Sequence, residues 1–290
     1  MRCPIVALLM LVAMPAASLA QTISESPAKD CGQVLSIATH NGTTTRFALA
    51  SAAPAATSAG QQQIALLLLV GGGGYLDLDE KGCPRRLARN ALMRMRPLLQ
   101  AAGLTTVLVD APSDAASDDG LAGFRNTPEQ AADLGRVIAD VRNRTGAAVW
   151  IAGHSRGSIS AANAAARLSG TAAPDGVILL SAMMVGDSRA RKPWVAQTVF
   201  DLPLEAIAMP VLLIGHAADN CQRSPAALLS KIAARTRSPR QQVVAVTGGP
   251  VAPGRPPSLA ACEVHQPHDY VDQQTEVAAG ILRFVRGGSF

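Results

Sequence analysis

The stretch with the most chemical content is Gly153-His154-Ser155-Arg156-Gly157. It follows an apolar run of strand length, Ala147 to Ala152, and precedes an alanine-rich run, Ile159 to Leu168, that suits a helix packed closely on a sheet. A serine at the tip of a tight strand-to-helix turn is held in strained backbone geometry, and the residues two before and two after it crowd each other. Glycine at both places removes the clash. The spacing therefore predicts that the Ser155 hydroxyl stands clear of the sheet as a nucleophile. The Arg156 N–H, at the start of a helix, is expected to be free to donate to a developing oxyanion.

Such a serine needs a base within hydrogen-bond reach and an acid that orients the base. Of the five histidines, His40 precedes an edge strand, His154 lies inside the turn and His216 sits beside a strand end. His265 and His268 lie in the loop before the last helix, where a Ser, Asp, His chain order puts the base. His268, in Pro267-His268-Asp269-Tyr270, is nearer that helix and is preferred, with His265 as the alternative. Asp219 follows the strand Val211 to Gly215 and is the expected acid. Asp187 and Asp201 are weaker candidates, in the irregular segment before that strand. Gly71 to Gly74 close the apolar run Ile64 to Val70, where a second oxyanion donor is required. The N–H of Gly72 or Gly73, paired with that of Arg156, would supply it.

Other chemistries fit less well. No Lys-Ser or Lys-Thr follows the glycine run, and the G-x-G-x-x-G spacing is missing, so the run does not read as a phosphate cradle. Cys262, His265, His268 and Asp269 match no zinc spacing. The expectation is chemistry without a metal or cofactor. Aromatic residues are 3 % of the chain, too few for the stacking platforms of single-strand nucleic-acid binding, and the net charge of +5 is scattered rather than gathered into a stripe.

These residues need elements to position them. The chain has 290 residues, 48 % hydrophobic and 16 % charged, enough for one large globular domain. Residues 1–20 read as a signal peptide: Arg2, then the apolar Ile5 to Met14, then Ser18-Leu19-Ala20 as a cleavage site. The domain is expected over 21–290, with 21–60 as an N-terminal extension and edge strands at Val34 to Ile37 and Thr44 to Ala50. From residue 64 onward strands alternate with helices. The strands are Ile64 to Val70, Thr105 to Val109, Ala147 to Ala152, Gly176 to Leu180, Val211 to Gly215 and Gln242 to Val246. Helices are expected over Leu87 to Ala102 (with a kink or break at Pro97), Pro128 to Arg144, Ile159 to Leu168, Pro225 to Ala234 with Ser224 as N-cap, and Tyr270 to Arg286. The pattern predicts an α/β fold, a mostly parallel central sheet with helices on both faces, whose site lies at the carboxyl ends of the strands. No later apolar run is long enough for a membrane helix.

Of the five cysteines, Cys3 leaves with the leader, and the remaining four suggest two disulfides in an exported chain. Cys221 is two residues past Asp219 and Cys262 six before His268, so loops that meet at a triad would pair them. Cys31 and Cys83 are then left to each other.

Taken together the chain resembles the α/β-hydrolase superfamily over about residues 44–290. The resemblance rests on the glycine run after Val70, Gly153-His154-Ser155-Arg156-Gly157, Asp219 after a strand and His268 before the last helix. More narrowly it is similar to exported bacterial α/β-hydrolases of poorly defined substrate, in Asp110-Ala111-Pro112-Ser113-Asp114, Gly123-Phe124-Arg125, His154 to Ser158 and Pro267 to Tyr270. It departs from the superfamily in having Gly71-Gly72 where His-Gly is frequent, and Asp269 where glycine often follows the histidine. Asp269 is thus a second carboxylate in reach of His268. The resemblance implies esterase-type chemistry on a small-molecule ester, thioester or amide. The competing expectations are a lactone or carbon–carbon hydrolase using the same serine, and a binding or scaffold protein that keeps the fold without turnover. The segment between Leu180 and Val211 is too short for a large lid, and its Met183, Met184, Trp194 and Phe200 are candidate pocket residues or ordinary packing.

Overall fold

The computed structural model of the protein describes residues 30–52, 62–250 and 256–290. The expected signal peptide, residues 1–20, lies outside the described residues. Eight strands form one sheet: β1 (Gln33–Ala38), β2 (Thr44–Ala50), β3 (Ile64–Leu69), β4 (Thr105–Pro112), β5 (Ala148–His154), β6 (Gly176–Leu180), β7 (Val211–His216) and β8 (Gln241–Val246). Their order is β1-β2-β4-β3-β5-β6-β7-β8. β2 runs antiparallel to both β1 and β4, and every other pairing is parallel. The helices are α1 (Ala91–Ala101), α2 (Pro128–Thr145), α3 (Gly157–Arg167), α4 (Leu229–Ala233) and α5 (Gln274–Val285).

The central strands are apolar throughout because both their faces are covered. Alternate side chains of β3 serve two separate cores: Ala65, Leu67 and Leu69 pack with α2, α3 and α4, while Ile64, Leu66 and Leu68 pack with α1 and α5. α2 begins as its sequence requires, with Thr127 accepting a hydrogen bond from the Gln130 N–H and Pro128 in the first turn. It ends at Gly146, which is left-handed at φ 65°. The segment between β6 and β7 holds only short 3-10 turns, so no separate lid covers the carboxyl ends of the strands.

Three helices differ from the expectation. α1 starts at Ala91 under an Asn90 cap and continues through Pro97. The proline ring is on the exposed side, and the buried Met95 and Leu99 anchor the helix on either side of it, so packing outweighs one missing backbone bond. Ser224 does not cap a helix: Pro225 is extended, a 3-10 turn follows, and only Leu229–Ala233 is α-helical. α5 begins at Gln274 rather than Tyr270, because Tyr270 and Asp272 are left-handed at φ 55° and 62°. That reversal turns the Tyr270 side chain inward, where it is fully buried.

Candidate active site

Ser155 sits between β5 and α3 with φ 52°, a conformation that strains a non-glycine residue. The two glycines are dictated by contact rather than by flexibility. A Cβ on Gly153 would stand 2.3 Å from the Gly157 carbonyl oxygen, and one on Gly157 2.1 Å from that of Leu69. Ser155 is fixed by its own N–H, which donates to the Leu180 carbonyl at the end of β6 (2.9 Å). Arg156 is helical at φ −61°, ψ −24°, and its N–H takes no backbone partner among the described residues.

The loops that carry Asp219 and His268 meet near it. Asp219 follows β7, and His268 lies in a 3-10 turn, Pro267–Asp269, ahead of α5. The His268 Nδ1–H donates to Asp219 Oδ2 at 2.8 Å, and both side chains are 1 % exposed. Asp219 Oδ1 accepts the Cys221 N–H (2.8 Å). With Nδ1 carrying the proton, Nε2 of His268 is an acceptor. It is buried and has no hydrogen-bond partner among the described residues, Ser155 Oγ included. Such contacts are often long in free enzymes and tighten with substrate.

Asp269 does not compete for the imidazole. It is buried, and its carboxylate accepts the Ala91 N–H (2.7 Å) at the start of α1 and Arg94 Nη1 (2.6 Å). His265 is exposed and left-handed, and takes no hydrogen bond among the described residues. Asp187 pairs with Arg223 (3.4 Å), and Asp201 caps Thr198 (2.7 Å), so both weaker acid candidates are engaged elsewhere. Trp194 lies against Arg156, whose guanidinium carbon is 3.6 Å from the ring centroid, whereas Met183, Met184 and Phe200 belong to the core.

Disulfides join Cys221 to Cys262 and Cys31 to Cys83. The first ties the loop of Asp219 to that of His268, two residues beyond Asp219. Asp219, Cys221 and His268 also bring three potential donors within 4.8 Å of one another. A disulfide sulfur is not a thiolate, and Nδ1 is already spent on the carboxylate, so this donor set does not suit a metal.

Two sets of positioning residues escape a reading of the sequence. His154 is buried, with its ring centroid 5.2 Å from that of His268. Its Nε2–H donates to the His268 carbonyl (3.0 Å), and its Nδ1 accepts from Asn90 (3.0 Å). Ser181 Oγ donates to the same His268 carbonyl (2.9 Å), and the Tyr270 hydroxyl donates to the Ile214 carbonyl (2.8 Å) while accepting the Ser181 N–H (2.9 Å). The backbone of His268 is thereby clamped to β5, β6 and β7. The second set is Arg125, fully buried under the glycine loop. Its Nη2 donates to the carbonyls of Val70 (3.3 Å) and Gly72 (3.1 Å), and its Nη1 to Ser160 Oγ (3.0 Å). Burial, then the charge of Arg156, lower its pKa to about 9, so it is still cationic at neutral pH. A trans peptide points its N–H opposite to its C=O, so a Gly72 carbonyl held down by Arg125 turns the Gly73 N–H the other way. Gly71 abuts Ser155: a Cβ there would be 3.4 Å from Ser155 Oγ.

Burial first, and then the neighbouring His268, lower the pKa of His154 to about 4. Since 6.5 is its ordinary value, the unfolded chain binds the proton more tightly. The neutral ring therefore contributes stability that is full above pH 6.5 and lost as the pH falls toward 4, on the order of 3 kcal/mol. Denaturant unfolding between pH 7 and 4 should show this loss in the wild type and a shallower one in His154→Gln. Parallel curves for the two proteins would refute the assignment.

No family model and no curated protein matches this chain. Solved structures do. A Xanthomonas campestris α/β serine hydrolase without a lid superposes with a TM-score of 0.51 at 15 % identity, covering 90 % of this chain and 97 % of that one. A highly thermostable carboxyl esterase from Bacillus coagulans, in complex with glycerol, gives 0.58 at 14 %, covering 88 % and 98 %. A thermophilic esterase from Thermogutta terrifontis, with propionate bound, gives 0.53 at 15 %, covering 88 % and 94 %. With the strand order, the antiparallel β2 and the serine turn after β5, these matches identify the architecture: the chain has the α/β-hydrolase fold.

Proposed function

We propose that the protein is an exported serine hydrolase that cleaves carboxylic esters of small molecules through an acyl-enzyme. The observation that carries this is the buried 2.8 Å His268–Asp219 pair, with an unpartnered Nε2, beside a serine held at φ 52°. In this reading Ser155 Oγ attacks the ester carbonyl and His268 Nε2 takes its proton. Asp219 keeps Nδ1 protonated and stabilises the imidazolium. The tetrahedral oxyanion accepts from the Arg156 N–H and from Gly72 or Gly73, with Arg125 holding the loop carbonyls away from it. Nε2 then protonates the departing alcohol. Water enters, gives a proton to Nε2 and adds to the acyl carbonyl. Ser155 leaves with that proton, and the acid is released. No cofactor or metal enters. The neighbours named as esterases support the chemistry by fold, and the leader sequence with two disulfides supports export.

The test is hydrolysis of 4-nitrophenyl esters from acetate to decanoate by the purified protein. Saturable turnover that disappears after treatment with a fluorophosphonate is expected. Absence of turnover across the series, with both disulfides intact, would overturn the assignment.

A further inference from the structure

Ser155 opens into a cleft of about 470 Å³ whose walls include Gly72, Arg85, Leu87, Arg89, Cys262 and Glu263. Its charges are unequal. Asp269 also borders it, but that carboxylate is buried and already neutralised by Arg94. That leaves Glu263 as the exposed acid against two exposed guanidiniums, and Glu263 pairs with neither of them among the described residues. Arg85 is held only loosely, 3.6 Å from Asp77, and Arg89 has no side-chain partner among the described residues.

The segment bearing these cations is rigid. Leu78 and Pro84 form a β-bridge, the Arg85 and Arg86 N–H groups donate to the Asp77 and Leu76 carbonyls, and Asn90 N–H donates to Leu87. The Cys31–Cys83 disulfide pins its start. Leu87 is left-handed at φ 57° and seats its side chain against Gly72, 3.3 Å from where a Cβ would stand. A leucine in that conformation is uncommon, and here it fixes the arginines on either side of it at the mouth of the cleft. Arg156 lies against Trp194 and Arg125 beneath the glycine loop, and neither forms an ion pair among the described residues. Guanidiniums carried on a fixed backbone at a cleft offer an entering carboxylate paired N–H donors, and Arg89 does so with no ion pair of its own among the described residues.

We propose that the substrate is an ester that carries an ionised carboxylate, held by Arg89 and Arg85 while its ester carbonyl lies at Ser155. The proposal rests on the serine hydrolase reading for its reaction, and it adds a substrate class to that reading.

Two matched pairs test it: 4-nitrophenyl hemiglutarate against 4-nitrophenyl pentanoate, with the charge on the acyl side, and 3-acetoxybenzoate against its methyl ester, with the charge on the leaving-group side. In at least one pair kcat/KM should favour the anion by ~10-fold or more, and this ratio should fall as ionic strength rises. The double variant Arg85→Gln/Arg89→Gln should reduce the ratio by ~10-fold, mainly through KM. Arg237→Gln, which removes one positive charge from an exposed residue before β8, should leave the ratio as in the wild type. Equal rates within both pairs, or the same loss for charged and neutral esters in the double variant, would overturn the proposal. If no ester turned over, the serine hydrolase reading would fall, and calorimetry on Ser155→Ala would decide this one separately. Tighter binding of an anionic ester than its neutral partner, abolished by the two arginine substitutions, sustains the carboxylate site; equal affinities remove it.

Discussion

Ser155→Ala should lower kcat by ~10⁵-fold or more while the protein folds and unfolds as the wild type does. The size follows from the role, because without Oγ there is no acyl-enzyme and only polarisation and binding remain. Ser155→Gly should be equally inactive but more stable, by about 1 kcal/mol, since glycine accepts the left-handed backbone that serine is forced to adopt at φ 52°. Single-turnover kinetics and thermal unfolding of the three proteins check both parts. Turnover within ~100-fold of wild type in either variant would remove Ser155 from the mechanism.

Asp219→Asn should cost ~10⁴-fold in kcat at neutral pH with a much smaller effect on KM. The buried 2.8 Å bond fixes the proton on Nδ1 of His268, leaving Nε2 free to accept. An amide in the same place can present its NH₂ group to Nδ1. That favours the tautomer with its proton on Nε2, which cannot accept from serine. Asp269→Asn should behave differently. It unpairs Arg94 and weakens the start of α1, so its effect falls on stability before it falls on the pH profile of kcat. If Asp269→Asn abolished turnover and Asp219→Asn did not, the two carboxylates would have to exchange roles.

The parts of this site that show in the sequence are those whose constraints are local. Gly153 and Gly157 must be glycine because backbone atoms four residues on, or at the end of the adjoining strand, occupy the space a side chain needs. Asp219 and His268 can be proposed from the sequence because chain order and strand ends limit where an acid and a base of this kind can lie, and the fold brings the two together. Even so, the sequence left two histidines and a second carboxylate open, and only the fold sends Asp269 to Arg94. The residues that stay hidden act over distance. His154 reads as part of the turn, yet its Nε2 reaches a carbonyl 114 residues away, and Ser181 and Tyr270, 89 residues apart, hold the same segment. Helical periodicity predicts a helix from Tyr270, because it does not register the left-handed turns at Tyr270 and Asp272 that let the ring go inward. Arg125 stands in a motif carried by resemblance alone. Its role becomes readable only when its guanidinium is seen beneath the carbonyls of Val70 and Gly72.

The central claim is that Ser155 is activated by its surroundings, and the most direct measurement is fluorophosphonate labelling of the purified protein with its disulfides intact, followed by intact mass. One adduct per chain is expected on the wild type, mapped to Ser155 by digestion, and none on Ser155→Ala or on His268→Ala. An unlabelled wild type, or an adduct that persists in Ser155→Ala, would contradict it.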